Sequence, residues 1–161
     1  MAAPCTEHLF LTGERGVGKS TLVQFLLRGR RPCGFQTRRV TGVLERPSVH
    51  LLSASGGQPT AENLLFYCGA YTSERFDTLG VAALRDRSGD VLLMDELGPA
   101  ESEAKAFTAA VLAALDGDLP VLGVLQRADT DFLRAVAAHP RVRVVTVTRD
   151  NRDTLRETLR F

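Results

Sequence analysis

A short apolar run, a glycine-rich octapeptide and an amphipathic stretch follow one another near the amino terminus. Residues 8–12 (HLFLT) form the apolar run, and residues 13–20 (GERGVGKS) follow without a gap. The octapeptide matches the pattern G-x-x-x-x-G-K-[S/T] at each fixed position. Apolar residues then recur at helical spacing, which predicts a helix over 19–28. This order of strand, loop and helix constrains the fold more than any other feature, because it is the first half of a β-α-β unit.

The glycines of this octapeptide are spaced as a bound phosphate group requires. They let the backbone turn with its N–H groups pointing inward and with no Cβ atoms in the way. The helix that follows adds the positive end of its dipole. Lys19 can then reach the β- and γ-phosphates of a nucleoside triphosphate, and the Ser20 hydroxyl can bind Mg²⁺. The predicted nucleotide-binding residues of this segment are Gly13, Glu14, Arg15, Gly16, Val17, Gly18, Lys19, Ser20 and Thr21.

A second candidate segment is 91–96 (VLLMDE), in which an apolar run ends in two acidic residues. A strand that ends in aspartate brings a carboxylate to the edge of the sheet, where it binds Mg²⁺, usually through water. We therefore predict Asp95 as a metal ligand and Glu96 as the catalytic residue that orients or deprotonates an attacking water. Both acids are also compatible with ordinary charges that cap a strand-to-helix turn, so their assignment depends on the loop upstream.

The charge that develops on a γ-phosphate calls for a cation besides Lys19. The candidates are Arg38, Arg39 and Arg127. Ligands of open α/β sheets bind beyond the carboxyl ends of the strands, and Arg127 closely follows the apolar run 120–125. Arg127 is therefore the predicted catalytic cation and Arg39 the alternative, while any one arginine of this chain is also compatible with a solvated surface charge.

The rest of the chain alternates short apolar runs with amphipathic stretches, as in a parallel sheet that is covered on both faces. Segment 34–55 is predicted to form short strands or a hairpin, with a surface turn at 56–59. The other predicted helices span 74–87, 101–115, 129–138 and 151–159, and the other predicted strands 91–94, 120–125 and 142–147. Because no repeat or linker interrupts this order, we expect one domain over residues 1–161.

Charge and cysteine content narrow the classes of function. Twenty basic and 19 acidic residues give a formal net charge of +1, whereas proteins that bind nucleic acid or anionic membranes usually carry a clustered basic excess. No apolar run approaches the ~20 residues of a transmembrane helix, and residues 1–8 lack the pattern of a secretory signal. Cys5, Cys33 and Cys68 suit neither a disulfide framework nor a metal site. We expect a cytoplasmic protein with free thiols and with no nucleic-acid or membrane partner; the oligomeric state stays open, with a monomer favoured.

Several further motifs resemble those of one known family. They are 34–37 (GFQT), 69–71 (GAY), 95–101 (DELGPAE), 120–127 (PVLGVLQR) and 147–152 (VTRDNR). In order and spacing they are similar to the small P-loop nucleoside-triphosphatases, the nucleotide-kinase-like or cancer-related NTPase type. The resemblance covers nearly the whole chain. It implies a three-layer α/β P-loop NTPase fold, with a mostly parallel sheet and helices on both faces.

The same resemblance implies Mg²⁺-dependent hydrolysis of ATP, GTP and other nucleoside triphosphates, with broad base tolerance. The Walker A and Walker B pairs of the family fall on residues already singled out above: Lys19, Ser20, Asp95 and Glu96. Glu101 falls on the second acidic residue of DE[IL]GxxE. Asn151 and Arg152 fall on the segment that lies near the base. The family often has histidine where this chain has Gln126.

Three other activities stay open. A regulatory GTPase is one, because 95–98 (DELG) satisfies D-x-x-G and 126–129 (QRAD) loosely resembles N-K-x-D. A small-molecule or nucleotide kinase that uses ATP is another, although the short connection after Leu125 leaves little room for the lid of such enzymes. The third is a nucleotide-gated interaction module, for which slow turnover with tight ATP binding would be typical.

Overall fold

Seven strands form one sheet within residues 6–161, the part of the chain that this computed structural model describes. The strands are β1 (His8–Thr12), β2 (Pro32–Val40), β3 (Ser48–Ser53), β4 (Leu64–Tyr67), β5 (Val91–Leu97), β6 (Val121–Leu125) and β7 (Val142–Thr146). The α-helices are α1 (Lys19–Leu26), α2 (Val81–Arg85), α3 (Lys105–Leu115), α4 (Asp131–Ala138) and α5 (Arg152–Thr158). A π-helical turn spans Phe76–Gly80, and 3₁₀ turns span Ala61–Asn63 and Pro99–Glu101.

The strand order is β4-β3-β2-β5-β6-β1-β7. From β2 to β7 in this order, neighbouring strands are parallel, whereas β3 is antiparallel to both β2 and β4. Strands β2 and β3 form the hairpin predicted over 34–55, with Thr37 opposite Leu51. The prediction of a mostly parallel sheet is therefore confirmed, with an antiparallel extension at one edge.

Apolar side chains of the central strands point alternately into two cores, one on each face of the sheet. One core packs Phe10 and Met94 against Phe107 of α3 and includes residues of α2 and α4. The other packs Leu9 and Leu11 against α1, with residues of α5 at its margin. Because both faces are covered, the central strands are apolar along their length. The predicted helices on both faces are confirmed.

The structure confirms one further predicted helix and corrects the sequence predictions at two places. The predicted helix 74–87 is confirmed over 74–85, as a continuous helical segment that contains the π-helical turn Phe76–Gly80 and ends with α2. Gly80 packs directly beneath the ring of Phe107, and a Cβ there would lie 2.5 Å from that ring. The predicted helix from 101 begins at Lys105, since a 3₁₀ turn precedes it. Strand β4 was missed, because four residues carry too little pattern to reveal a strand that depends on pairing with β3.

The remaining expectations concern thiols and membranes. Cys33 is buried and Cys68 half-buried, and both are free thiols, while Cys5 lies outside the described residues. Within residues 6–161, none of the helices combines the length and the apolar character needed to span a bilayer.

Candidate functional site

A cleft of about 1730 Å³ opens beyond the carboxyl ends of β1, β2, β5 and β6. The loop 13–20 and the first turn of α1 line one end, which we call the loop end. The other end, the hairpin end, is lined from β2, β3, β4 and the turn that follows β4. The acidic segment 95–101 lies between them, because β5 separates β1 from β2 in the sheet. The cleft thus brings together the two segments that the sequence singles out.

Two glycines fix the course of the loop. Gly13 has φ +146°, and a Cβ there would lie 2.4 Å from the carbonyl oxygen of Val147. Gly18 has φ +109°, and a Cβ there would lie 3.1 Å from Cδ of Arg152. Both values of φ lie in the region that favours glycine. The loop therefore packs closely against the connection between β7 and α5.

Unpaired backbone donors follow in the same loop. The N–H groups of Gly16, Gly18, Lys19 and Ser20 donate no hydrogen bond to any protein atom within residues 6–161. The first N–H groups of a helix have no partner inside the helix, and they carry the positive end of its dipole. A phosphate group bound here would receive these hydrogen bonds.

The ammonium group of Lys19 lies over the loop. Its Nζ donates to the carbonyl oxygens of Gly13, at 2.6 Å, and of Glu14, at 2.7 Å. An ammonium group has three N–H donors. A bound phosphate group can accept from the third N–H, or it can replace the two carbonyl oxygens as acceptor.

Asp95 is half-buried at the end of β5, and its carboxylate accepts no hydrogen bond within the described residues. Burial raises the pKa of Asp95 from 3.8 to about 6; the charge of Glu96 adds to this, and Lys19 opposes it. Burial disfavours the ionised form of a carboxyl group that has no hydrogen-bond partner, and a nearby cation stabilises that form.

The donors present fit a magnesium ion. In the part of the chain that is described, no group of three or more His, Cys, Asp and Glu side chains could hold a metal. Mg²⁺ does not need such a group, because it is usually bound by one or two protein oxygens together with water and substrate phosphates. The exposed Ser20 and the unpartnered Asp95 line the same cleft and are donors of this kind.

Glu96 is held by a side chain that the sequence analysis did not assign. Gln126, just after β6, donates from Nε2 to Oε1 of Glu96 at 2.8 Å. Gly98 leaves the space for it, since a Cβ on Gly98 would lie 2.5 Å from the Gln126 amide. The adjacency of β5 and β6 brings these residues together. The sequence signals were that Gln126 precedes the predicted Arg127 and occupies a position where the family often has histidine.

Glu101 is 3% exposed. Its Oε2 accepts a hydrogen bond from the backbone N–H of Gly98 at 2.8 Å. Burial raises the pKa of Glu101 from 4.5 to about 8, against the effect of its backbone hydrogen bonds, and the charge of Glu96 raises it further. Glu101 therefore holds the 98–101 turn.

The arginine candidates lie at different places in the cleft. Nη1 of Arg127 is 3.8 Å from Oε1 of Glu14, and both side chains are largely exposed, so this pair adds little stability. Arg38 and Arg39 line the hairpin end. The structure therefore brings Arg127, and not the two hairpin arginines, to the phosphate loop.

The last two predicted residues differ in their surroundings. The Asn151 side chain accepts from the Thr148 N–H at 2.7 Å and donates to the Thr146 carbonyl at 2.9 Å. It thus holds the turn before α5 and does not line the cleft. Arg152 lines the cleft and donates from Nη1 to the Val17 carbonyl at 3.4 Å.

The residues of the loop also differ in whether they line the cleft. The side chain of Val17 is buried in the core beside α1, so only its backbone is near the cleft. The other loop residues line the cleft: Gly13, Glu14, Arg15, Gly16, Gly18, Lys19, Ser20 and Thr21.

Known proteins with a similar fold include two solved structures. The crystal structure of THEP1 from the hyperthermophile Aquifex aeolicus superposes with a TM-score of 0.71 at 22% identity, over 94% of this chain and 95% of that one. The solution structure of a human cancer-related nucleoside triphosphatase gives a TM-score of 0.67 at 25% identity, over 94% of each chain. Both confirm the α/β P-loop NTPase fold.

Sequence relatives agree with the fold. Nucleoside-triphosphatase THEP1 of Thermofilum pendens is 30% identical over 92% of this chain and 91% of its own length. A cancer-related nucleoside-triphosphatase homolog of Mus musculus is 28% identical over 93% of each chain. A sequence model of the NTPase family matches residues 8–159. This chain therefore belongs to the NTPase family.

Proposed function

We propose that this protein hydrolyses ATP, GTP and other nucleoside triphosphates to diphosphate and phosphate, with Mg²⁺ and with broad base tolerance. The observation that carries the proposal is the shared cleft, in which the free N–H groups of the loop, Lys19, Asp95 and Glu96 all converge. The names of the relatives, nucleoside-triphosphatases, support the same activity. The free thiols Cys33 and Cys68 support a cytoplasmic location.

In the proposed mechanism the loop N–H groups and Lys19 bind the β- and γ-phosphates. Ser20 and Asp95 would hold Mg²⁺, which neutralises charge on the phosphate oxygens when bound. Glu96 orients a water molecule and accepts its proton as the water oxygen bonds to the γ-phosphorus. The bond from this phosphorus to the bridging oxygen breaks, and the diphosphate leaves with that electron pair. Gln126 positions Glu96, and Arg127 supplies further positive charge.

Broad base tolerance is supported by what surrounds the loop end. A guanine-specific site needs a carboxylate and an amide directed at the base. The candidate carboxylate, Asp129, forms an ion pair with Arg134 and does not line the cleft. The amide of Asn151 is used within its own turn. These contacts favour a general triphosphatase over the regulatory GTPase.

The direct test is phosphate release with ATP, GTP, CTP and UTP in the presence of Mg²⁺. We expect the four rates to lie within about tenfold of one another, because no base-specific contact is built. A GTP preference above about a hundredfold would instead indicate the regulatory GTPase. Lys19→Ala should lose both rate and triphosphate affinity, by at least about a hundredfold in kcat/KM. Unchanged affinity in this variant would contradict the assignment of the loop.

A second variant separates chemistry from binding. Glu96→Gln keeps the hydrogen-bonding shape but cannot accept the proton of water, so we expect turnover to fall by about 10²–10⁴-fold with triphosphate affinity unchanged. Glu103→Gln is the matched control, because Glu103 is exposed and lies outside the cleft. Normal turnover by Glu96→Gln would show that another group activates the water.

A further inference from the structure

The cleft is larger than one nucleotide requires. Sites for small molecules usually measure about 300–1000 Å³, whereas this cleft measures about 1730 Å³. The residues assigned to hydrolysis occupy the loop end and the acidic segment, which leaves the hairpin end without a role. We call this part the Tyr71 lobe and define it by the residues Arg39, Val49, Phe66, Cys68, Tyr71 and Phe76.

Aromatic rings form one wall of the Tyr71 lobe. The Phe66 ring centroid lies 5.0 Å from that of Tyr71 and 6.4 Å from that of Phe76. Phe66 and Phe76 are buried, but Tyr71 is 74% exposed. Tyr71 therefore rests on a rigid aromatic base and keeps most of its ring available for stacking on a planar group.

The charged side of the Tyr71 lobe is positive. Nε of Arg39 donates to Sγ of Cys68 at 3.3 Å, which orients the guanidinium group. Neither Arg39 nor the neighbouring Arg38 forms an ion pair with a carboxylate in residues 6–161. No acidic residue belongs to the lobe as defined. A guanidinium group with free donors is suited to a phosphate or a carboxylate.

The Tyr71 lobe is attached to the acidic segment of the site. After β4 the chain turns at Gly69, which has φ +85°, and so presents Tyr71 to the cleft. Oγ of Ser73 then donates to the carbonyl oxygen of Ala100 at 2.5 Å. Ala100 belongs to the acidic segment 95–101, so a ligand that contacts Tyr71 lies next to this segment. The same segment separates that ligand from the phosphate loop. The 69–71 (GAY) motif, which has no role in the proposed mechanism, forms part of this wall.

We propose that the Tyr71 lobe binds a second small ligand, a planar aromatic ring that carries a phosphate group, while a nucleoside triphosphate occupies the loop. The ring stacks on Tyr71, and the phosphate group pairs with Arg39. The proposal rests on the proposed function only in placing the triphosphate at the other end of the cleft.

The test uses adenosine 5′-monophosphate as the probe, with the loop first saturated by Mg²⁺ and a non-hydrolysable ATP analogue. Calorimetric titration should show binding of the monophosphate to this complex. Adenosine has the ring without phosphate, and ribose 5-phosphate has the phosphate without the ring; both should bind at least about tenfold more weakly, since each lacks one of the two contacts. Binding of ribose 5-phosphate as tight as that of the monophosphate would overturn the role of Tyr71.

Variants then locate the site. Tyr71→Ala should weaken monophosphate binding by about tenfold or more, and Tyr71→Phe should keep it, because stacking needs the ring and not the hydroxyl. Arg39→Gln should weaken it by about tenfold, and Arg39→Lys should restore part of the affinity. Arg85→Gln is the charge control, because Arg85 is exposed on α2 and lies outside the cleft.

Two outcomes would overturn the proposal: displacement of the monophosphate by the ATP analogue, or equal monophosphate binding by Tyr71→Ala and the unmodified protein. Failure of the proposed function gives a different result. In that case no phosphate is released from the nucleoside triphosphates, whether or not the ATP analogue binds, while the monophosphate still binds and still depends on Tyr71.

Discussion

The two ends of the cleft are built in different ways. The loop end is one continuous segment, 13–21, whose backbone supplies most of its donors. The hairpin end collects side chains from three strands and a turn, among them Arg39, Val49, Phe66 and Tyr71. The first depends on backbone conformation and the second on strand register, with Arg39 opposite Val49 and Val49 opposite Phe66. Phosphate binding at the loop end therefore depends on the glycines that set the backbone conformation. The arrangement of side chains at the hairpin end depends instead on how the strands pair.

The largest expected effect tests the loop end. Gly13→Ala would place a Cβ 2.4 Å from a backbone oxygen at φ +146°, so the loop must move. We expect triphosphate affinity to fall by at least about a hundredfold and the melting temperature to fall as well. Calorimetry with a non-hydrolysable ATP analogue measures the first, and thermal unfolding the second.

A matched glycine in the hairpin region provides the control. Gly42, between β2 and β3, has φ +78° but no atom within 4 Å of an added Cβ. Gly42→Ala should cost only about 1–2 kcal/mol of stability and leave triphosphate affinity within about twofold. If Gly13→Ala and Gly42→Ala lost triphosphate affinity equally, the loop end would be no more sensitive to an added Cβ than the hairpin region.

The second prediction concerns the segment between the ends. Because the pKa of Glu101 is raised from 4.5 to about 8, the folded state holds this proton more tightly than the unfolded chain. The free energy of unfolding should therefore fall as the pH rises through that interval. Glu101→Gln removes this titration and keeps an acceptor for the Gly98 N–H, so it should be the more stable protein by about 4–5 kcal/mol at pH 9.

Thermal unfolding of both proteins between pH 4 and 9 measures the effect. The pKa of Asp95 is also raised, to about 6, so its ionisation likewise lowers the free energy of unfolding as the pH rises. The Glu101→Gln variant should therefore still lose some stability with rising pH in the acidic range. If the stability curves of the two proteins run parallel up to pH 9, Glu101 does not carry the buried proton.

The smallest expected effect concerns Gln126, which joins the end of β6 to Glu96. Gln126→Ala should lower kcat about tenfold with little change in KM, because Glu96 loses its positioning partner. Gly98→Ala should act in the same way by displacing the Gln126 amide. The double variant should then be no slower than either single variant, since both remove one interaction. Additive losses of kcat would show that the two residues act separately.

The loop end could be predicted from the sequence because its residues are contiguous and their spacing follows from backbone geometry. The sequence also predicted β1 with its observed bounds, since a buried strand before such a loop is a continuous apolar run. Asp95 and Glu96 were identified as a pair for the same local reason. Their roles, like that of Arg127, stay predictions until the variants are measured.

The hairpin end could not be predicted in this way. Tyr71 and Arg39 lie near each other only through the pairing of β2, β3 and β4, and β4 is too short to show a periodicity. The contact between Gln126 and Glu96 likewise depends on the adjacency of β5 and β6. The π-helical turn Phe76–Gly80 within the predicted helix 74–87 was not predicted, since the local pattern does not show that Gly80 packs on Phe107.

The position of β1 in the sheet has a consequence for the order in which the site matures during synthesis. β1 lies between β6 and β7, and Gly13 packs against Val147. The phosphate loop thus leaves the ribosome well before β6 and β7, the strands on either side of β1. A nascent chain that stops before β7 carries the full GERGVGKS motif without the surface that shapes it. The nascent chain should therefore gain nucleotide affinity only after β7 has joined the sheet.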